Sequence, residues 1–248
     1  MAQQPYTLRL LWSRNLTPTV KHLAFQREDG QSPLFQAGQF ITLHIPTPAG
    51  KVAHRSYSLA NPPNADGILE MAAAFIEGGL ASTLLFNLKE GETLSVTGPY
   101  GLFILKDEQP KRYVLVATGT GVTPYRSMLP QLLERLEKRP ELSVELILGV
   151  RKKDDLLFGD EFLRLVQNQD RFKFHACYSR ESEEQIQATH ESLGRVQDKF
   201  ENLNLDPAND IVYLCGNPGM IDDAFKLLCE QYGFDKKAVR REKYTFSH

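Results

Sequence analysis

Residues 54–61 read HRSYSLAN, with Arg55, Ser56, Tyr57 and Ser58 in succession. In a strand, Arg55, Tyr57 and Leu59 share one face, and Ser56, Ser58 and Ala60 the other. A half-buried strand normally keeps one face aliphatic, and here neither face is. The residue types suit a flat, aromatic, phosphorylated ligand. A guanidinium neutralises phosphate, a phenol ring covers a ring face, and a hydroxyl bonds a ring heteroatom. An indifferent edge strand is the plain alternative.

Four other stretches carry comparable chemistry. VATGTGVTP (residues 116–124) places Gly119, Thr120, Gly121, Thr123 and Pro124 between an apolar run and a helical pattern. Glycines let the backbone turn tightly, and the helix start offers free N–H groups to a phosphate. The third glycine of the dinucleotide fingerprint is missing, and so is its acidic residue about twenty positions on. A turn that merely needs glycine fits equally. LCGNPGM (residues 214–220) repeats the arrangement with Cys215 and Gly216. CYSRE (residues 177–181) offers Ser179 and Arg180, a hydroxyl and a fork for a phosphate monoester, or else a surface arginine. EGGLASTLL (residues 77–85) opens a helix with glycines and Ser82, an anion site or an ordinary capped helix.

The elements that must position these residues fall into two rhythms. Up to residue 106, short strand-like runs alternate with Gly, Pro and Asn turns, which predicts an antiparallel β-barrel or sandwich. Helical leucine spacing interrupts them over residues 78–92. From residue 107 onward, apolar strands alternate with amphipathic helices, which predicts a parallel sheet with helices on both faces. The expected organisation is two domains, 1–106 and 107–248. The run ETLSVTGPYGLFIL (residues 92–105) reads as one strand. The basic run KKAVRREK (residues 236–243) is either a docking surface or a solvated helix end.

With 248 residues, 42% hydrophobic and 24% charged, the chain can bury real cores. A formal net charge of −2 gives no bulk attraction to nucleic acid or anionic lipid. No apolar run approaches a membrane span, and the first residues lack a signal-peptide pattern, so the cytoplasm is the expected location. The three cysteines, Cys177, Cys215 and Cys229, fit neither a zinc nor an iron–sulfur spacing. A redox centre would therefore be an organic cofactor or belong to a partner.

Taken together, the motifs resemble the ferredoxin–NADP reductase superfamily, in its bacterial ferredoxin/flavodoxin branch, over nearly the whole chain. RSYS is similar to the family's flavin motif, GGLAS to its pyrophosphate-binding helix start and TGPYG to its barrel-closing turn. GTGVTPYRSML and YLCGNPGMIDD resemble its two nucleotide turns. The resemblance implies a barrel that binds FAD and an α/β domain that binds NADP. FAD is implied by the resemblance alone, since FMN uses a similar arginine motif. Arg55, Ser56, Tyr57 and Ser58 would contact the flavin and its phosphates. Ala72, Ala73 and Ala74 would lie along it by their backbone, and Leu80, Ala81 and Ser82 would hold its pyrophosphate. Thr120 would stand where the two cofactors meet. Arg151, Arg180 and Arg195 would grip the NADP 2′-phosphate.

Ser58, Cys215, Glu242 and Tyr244 would serve catalysis by bonding near the accepting nitrogen, shaping the nicotinamide pocket, relaying a proton and covering the ring. The C-terminal tail would return to the flavin, with Tyr244 or Phe246 as its aromatic cover. The implied activity is hydride transfer between NADPH and FAD, with single electrons to or from ferredoxin or flavodoxin, in a monomer. Reduction of free flavin, ferric chelates or an oxygenase component stays open, as does a non-catalytic redox sensor.

Overall fold

Twelve strands and four helices occur among the described residues, 4–245, of the computed structural model. They group into two units. One comprises residues up to Lys106 together with Thr123–Pro130. The other comprises Asp107–Val122 and the described residues from Gln131 to Thr245.

The first unit holds β1 (Tyr6–Thr17), β2 (Val20–Arg27), β3 (Phe40–Pro46), β4 (Val52–Ser58), β5 (Leu69–Ala74), α1 (Leu80–Asn87) and β6 (Thr93–Tyr100). The strands form an antiparallel sheet in the order β4-β3-β6-β1-β2-β5. A single bridge, Leu59 to Met71, links the two edges. Alternation puts Leu8, Leu10, Leu23, Phe25, Ile41 and Leu43 inside, and Ala81 and Leu85 of α1 join them. Each large apolar side chain buried there contributes about 1.5–3 kcal/mol. Residues 92–105 do not form one strand as expected. β6 tolerates the positive φ of Gly98 (+118°) and stops at Tyr100, where Gly101 takes φ +112°.

The second unit contains β7 (Arg112–Thr118), β8 (Ser143–Val150), α3 (Gly159–Asn168), β9 (Phe172–Tyr178), β10 (Glu191–Leu193), β11 (Asp210–Gly216), α4 (Pro218–Glu230) and β12 (Val239–Lys243). Helix α2 (Thr123–Lys138) begins after a 3₁₀ turn at Gly119–Val122. The sheet is parallel, in the order β10-β9-β8-β7-β11-β12. β7 and β8 are buried almost throughout, as a strand covered on both faces must be. The basic run at residues 236–243 is not a helix end. It supplies β12, an edge strand in which Val239 is buried. Glu108 pairs with Arg240 and Asp222 with Lys243 (2.6 Å), while Arg241 stacks on Phe225 at 3.6 Å.

The first two turns of α2 belong to the barrel unit. Arg126 donates to the Ala60 carbonyl (2.8 Å) and pairs with Glu70 (3.0 Å), whose carboxylate also meets the buried His22 at 2.8 Å. Ser127 Oγ accepts from Gly38 N–H at 2.9 Å.

After β7, the two glycines of the turn differ in the room they leave for a side chain. A Cβ on Gly121 would fall onto the Cys215 carbonyl, whereas one on Gly119 would meet nothing within 4 Å. Gly121→Ala is therefore expected to cost about 2 kcal/mol or more. Gly119→Ala, strained only by its φ of +53°, should cost about 1 kcal/mol. Denaturant midpoints of the two variants check this order.

Candidate functional site

In the barrel, the edges of β4 and β5 approach at the Leu59–Met71 bridge, beside which Ala60 N–H donates to the Glu70 carbonyl at 2.7 Å. Continuing that antiparallel register sets Ser58 across from Ala72 and Tyr57 across from Ala73. No ladder forms there among the described residues. The result is a seam with Arg55, Tyr57 and Ser58 on one side and Ala72, Ala73 and Ala74, which pair with β2 on their far side, on the other. Below it the core is closed, with Leu59 and Ala73 fully buried.

Tyr57 packs against that core, and burial pushes its phenol up to about 12, so the hydroxyl stays neutral. Ser58 is buried at the strand end. Arg55 donates to the His54 carbonyl at 2.8 Å. Ser56 lies on the other face and pairs across the sheet with Thr42 at 3.0 Å.

β5 leads through the turn at residues 75–79 into α1, whose first-turn N–H groups at Leu80, Ala81 and Ser82 have no acceptor within the helix. The Ser82 hydroxyl is already engaged. It accepts from Ile76 N–H (3.1 Å) and lies 2.9 and 3.0 Å from the carbonyls of Ile76 and Gly79. What Ser82 offers an anion is its backbone. A cation, a helix amino end, a phenol face and a serine along one seam fit a flavin nucleotide by their donor chemistry.

All six parallel strands of the second unit end at one edge. From β10 to β12 this edge carries Arg195, then Ser179 and Arg180, then Arg151, the glycine turn, Cys215 with Gly216, and finally Glu242 with Tyr244. Strands lie about 4.8 Å apart, so β8 and β12 stand about 14 Å apart across it. The arginine-bearing backbones are tied together. Arg180 N–H donates to the Arg151 carbonyl (2.9 Å) and Gly194 N–H to the Tyr178 carbonyl (3.0 Å). Arg180 and Arg195 are exposed, and their guanidinium groups have no hydrogen-bond or ion-pair partner among the described residues. Arg151 has a loose contact with Asp155 at 3.5 Å. The Ser179 hydroxyl lies 3.4 Å from the Val150 carbonyl.

Gly216 takes φ +122°, and a Cβ there would sit 2.5 Å from Thr118 Oγ1. The Thr118 hydroxyl accepts from Asn217 N–H (2.9 Å), and Asn217 caps α4 through Met220 N–H (3.2 Å). Thr120 lies in the 3₁₀ turn, and Thr123 and Pro124 open α2 directly after it.

The β11–β12 register sets Glu242 beside Cys215, and Tyr244 N–H donates to the Gly216 carbonyl at 2.8 Å. Cys215 is fully buried. Burial, with Glu242 adding to it, raises the thiol well above its usual range despite a hydrogen bond with the Tyr244 side chain. The neutral thiol is thus a shaped wall rather than a nucleophile. Phe246 lies outside the described residues. Strand β12, which carries Glu242 and leads into Tyr244, has no signature in the sequence, since VRREK lacks any apolar alternation.

These two parts define a class, the two-unit oxidoreductases that hold a flavin on a barrel and a pyridine nucleotide on a parallel sheet. Residues 8–104 match the family described as "Oxidoreductase FAD-binding domain", and residues 115–226 match "Oxidoreductase NAD-binding domain". The chain is 34% identical to ferredoxin–NADP reductase B of Sorangium cellulosum, covering 97% of this chain and 98% of that one. It is 31% identical to the phenol hydroxylase P5 protein of Acinetobacter pittii, over 94% of this chain but only 64% of that one. Among solved structures, a ferredoxin NADP+ reductase from Neisseria gonorrhoeae with bound FAD and NADP superposes with a TM-score of 0.81. That match is 25% identical and covers 97% of this chain and 99% of that one. The chain belongs to the ferredoxin–NADP reductase superfamily of flavin-dependent NAD(P)H oxidoreductases. No helix among the described residues is long and apolar enough to cross a membrane.

Because burial raises the Cys215 thiol, it stays protonated as pH climbs through its ordinary value of 9.0. The pH profile of kcat is therefore expected to show no limb from a cysteine between about pH 8 and 9. Cys215→Ala should leave the profile's shape unchanged while lowering kcat. A limb that vanishes in Cys215→Ala would contradict this.

Proposed function

We propose that this chain takes hydride from NADPH through FAD and delivers single electrons to a small carrier of the ferredoxin or flavodoxin class. The observation that carries the NADPH reading is the trio Arg151, Arg180 and Arg195 at the ends of three adjacent strands. Two of their guanidinium groups are not committed to any described side chain or carbonyl. A phosphate monoester is the ligand that such a set favours, by bidentate, charge-assisted hydrogen bonds.

In this reading Arg55 and the amino end of α1 hold the flavin's phosphates, with Leu80, Ala81 and Ser82 acting through their N–H groups. Tyr57 covers a ring face, Ser58 donates near the accepting nitrogen, and the edge of Ala72, Ala73 and Ala74 bonds along the ligand. Bound flavin supplies the conversion between a two-electron hydride and single electrons. Gly119, Thr120, Gly121, Thr123, Pro124 and Gly216 let the nucleotide approach the backbone closely. Cys215 shapes the nicotinamide's seat, Glu242 relays a proton, and Tyr244 or Phe246 keeps the place of the incoming ring.

The relatives named as oxygenase components support a second reading, in which the electrons go to an oxygenase. For either carrier, the free cations of residues 236–243 are Lys236 and Lys237, since the other three are engaged as described above. Docking through them gives rates that fall as ionic strength rises.

Arg180→Ala and Arg195→Ala should each raise KM for NADPH about tenfold and leave KM for NADH unchanged, the size of one lost charge-assisted bond. Ser58→Ala should keep its flavin but slow its bleaching by NADPH about tenfold or more. Stopped-flow reduction and a panel of carriers read both. Protein whose yellow colour NADPH does not bleach would overturn the enzymatic reading.

A further inference from the structure

Three like-charged arginines at one sheet edge repel each other, and two lie on loops with little apolar burial. Something must hold those loops together without neutralising the guanidinium groups. Glu191, the first residue of β10, is placed to do so. Its side chain is only 8% exposed, in a stretch where Glu183 and Glu184 are exposed. Lys153 Nζ lies 2.7 Å from one carboxylate oxygen and 2.8 Å from the other. The N–H groups of Gln187 and Ala188 donate to Oε2 at 3.0 and 3.1 Å, and the Tyr178 hydroxyl to Oε1 at 3.3 Å.

These contacts join three pieces of chain. Lys153 opens the 3₁₀ turn two residues after Arg151, and its own N–H donates to Glu181 at 3.1 Å. Gln187 and Ala188 end the loop that starts at Arg180. β10 itself delivers Arg195 four residues on, where Arg195 N–H is fixed by Asp198 at 2.7 Å. Because Lys153 compensates the Glu191 charge locally, the carboxylate can hold the loops without repelling an anion bound by the arginines.

We propose that Glu191, locked by Lys153, is the positioning residue that sets the 2′-phosphate preference of this chain, by holding the loops of Arg151, Arg180 and Arg195 in one arrangement. This inference rests on the NADPH reading above. Glu191 does not touch the nucleotide. It acts by lowering the cost of ordering the arginines when phosphate arrives.

The test measures binding of 2′,5′-ADP and of 5′-AMP to the flavin-loaded protein by calorimetry, with steady-state kinetics on NADPH and NADH beside it. In Glu191→Gln, affinity for 2′,5′-ADP and KM for NADPH should each worsen about tenfold. Affinity for 5′-AMP, KM for NADH and kcat at saturating NADPH should hold. Lys153→Met should give the same pattern, and the double variant should be no worse than either single one, since the two act as one unit. Equal weakening of 5′-AMP and 2′,5′-ADP would mark a general structural role and overturn the inference. So would additive effects, or a 2′,5′-ADP affinity unchanged in Glu191→Gln when the wild-type protein prefers 2′,5′-ADP to 5′-AMP. A wild-type protein with no such preference would instead overturn the NADPH reading beneath it.

Discussion

The contact between Gly216 and the turn after β7 is the constraint from which the sheet's functional edge follows. β7 and β11 are neighbours, and their chains leave the sheet at the same level. Both exits pass through a space that admits no Cβ at Gly121 or Gly216. Because the backbones meet there, one small volume fixes three directions. Gly121 sits at the centre of the turn into α2, Asn217 caps α4 after bonding Thr118, and the Gly216 carbonyl anchors Tyr244. The starts of two helices and the end of β12 are thus set by peptide groups rather than by long side chains. Such an arrangement keeps N–H groups at the edge, where an anion can use them.

The arginines divide by how their hydrogen bonds are used, and this separates binding from scaffolding. Arg112 pairs with Asp210 and also donates to the carbonyls of Leu203 and Asn204. Arg171 spans the carbonyls of Leu136, Arg139 and Leu142. Arg126 ties α2 to Ala60 and Glu70. In each case the fork is engaged in joining elements. Arg180 and Arg195 do the reverse, since their backbones are bonded and their guanidinium groups are not committed among the described residues. Positioning a charge by its main chain and leaving its fork available is what a site for a doubly charged monoester requires.

The sequence was most legible where the requirement was local. Glycine corners show because only glycine tolerates the close approach, and RYVLVAT shows because a strand covered on both faces must be apolar throughout. The change from barrel rhythm to alternating strands and helices was legible for the same reason. β12 was not, because an edge strand with one buried residue and four charged ones carries no period-2 signal. β10, three residues long, falls below any periodicity. The end of β6 at Tyr100 depends on the φ of Gly101, which composition does not reveal. The motif locates Ser82, but its hydroxyl faces Ile76 and Gly79, a direction set by the turn rather than by the motif. Glu191 looked like any other acid in a polar loop. Only the parallel register of β9 and β10 brings it next to Lys153.

The seam in the barrel completes the physical account, because it separates stability from binding. Unpaired strand edges are a hazard, and proteins usually cover or charge them. Here the edges of β4 and β5 part beyond one bridge, over a core that is already closed by Leu59, Met71 and Ala73. The barrel therefore gains its burial energy without a ligand, and a flat ligand in the seam gains peptide hydrogen bonds and an aromatic face without reorganising that core. The polar character of RSYS follows from this division. Tyr57 belongs partly to the core and partly to the seam, while Arg55 and Ser58 belong to the seam's rim. An aliphatic strand in their place would stabilise the barrel and leave nothing with which to hold a phosphorylated ring.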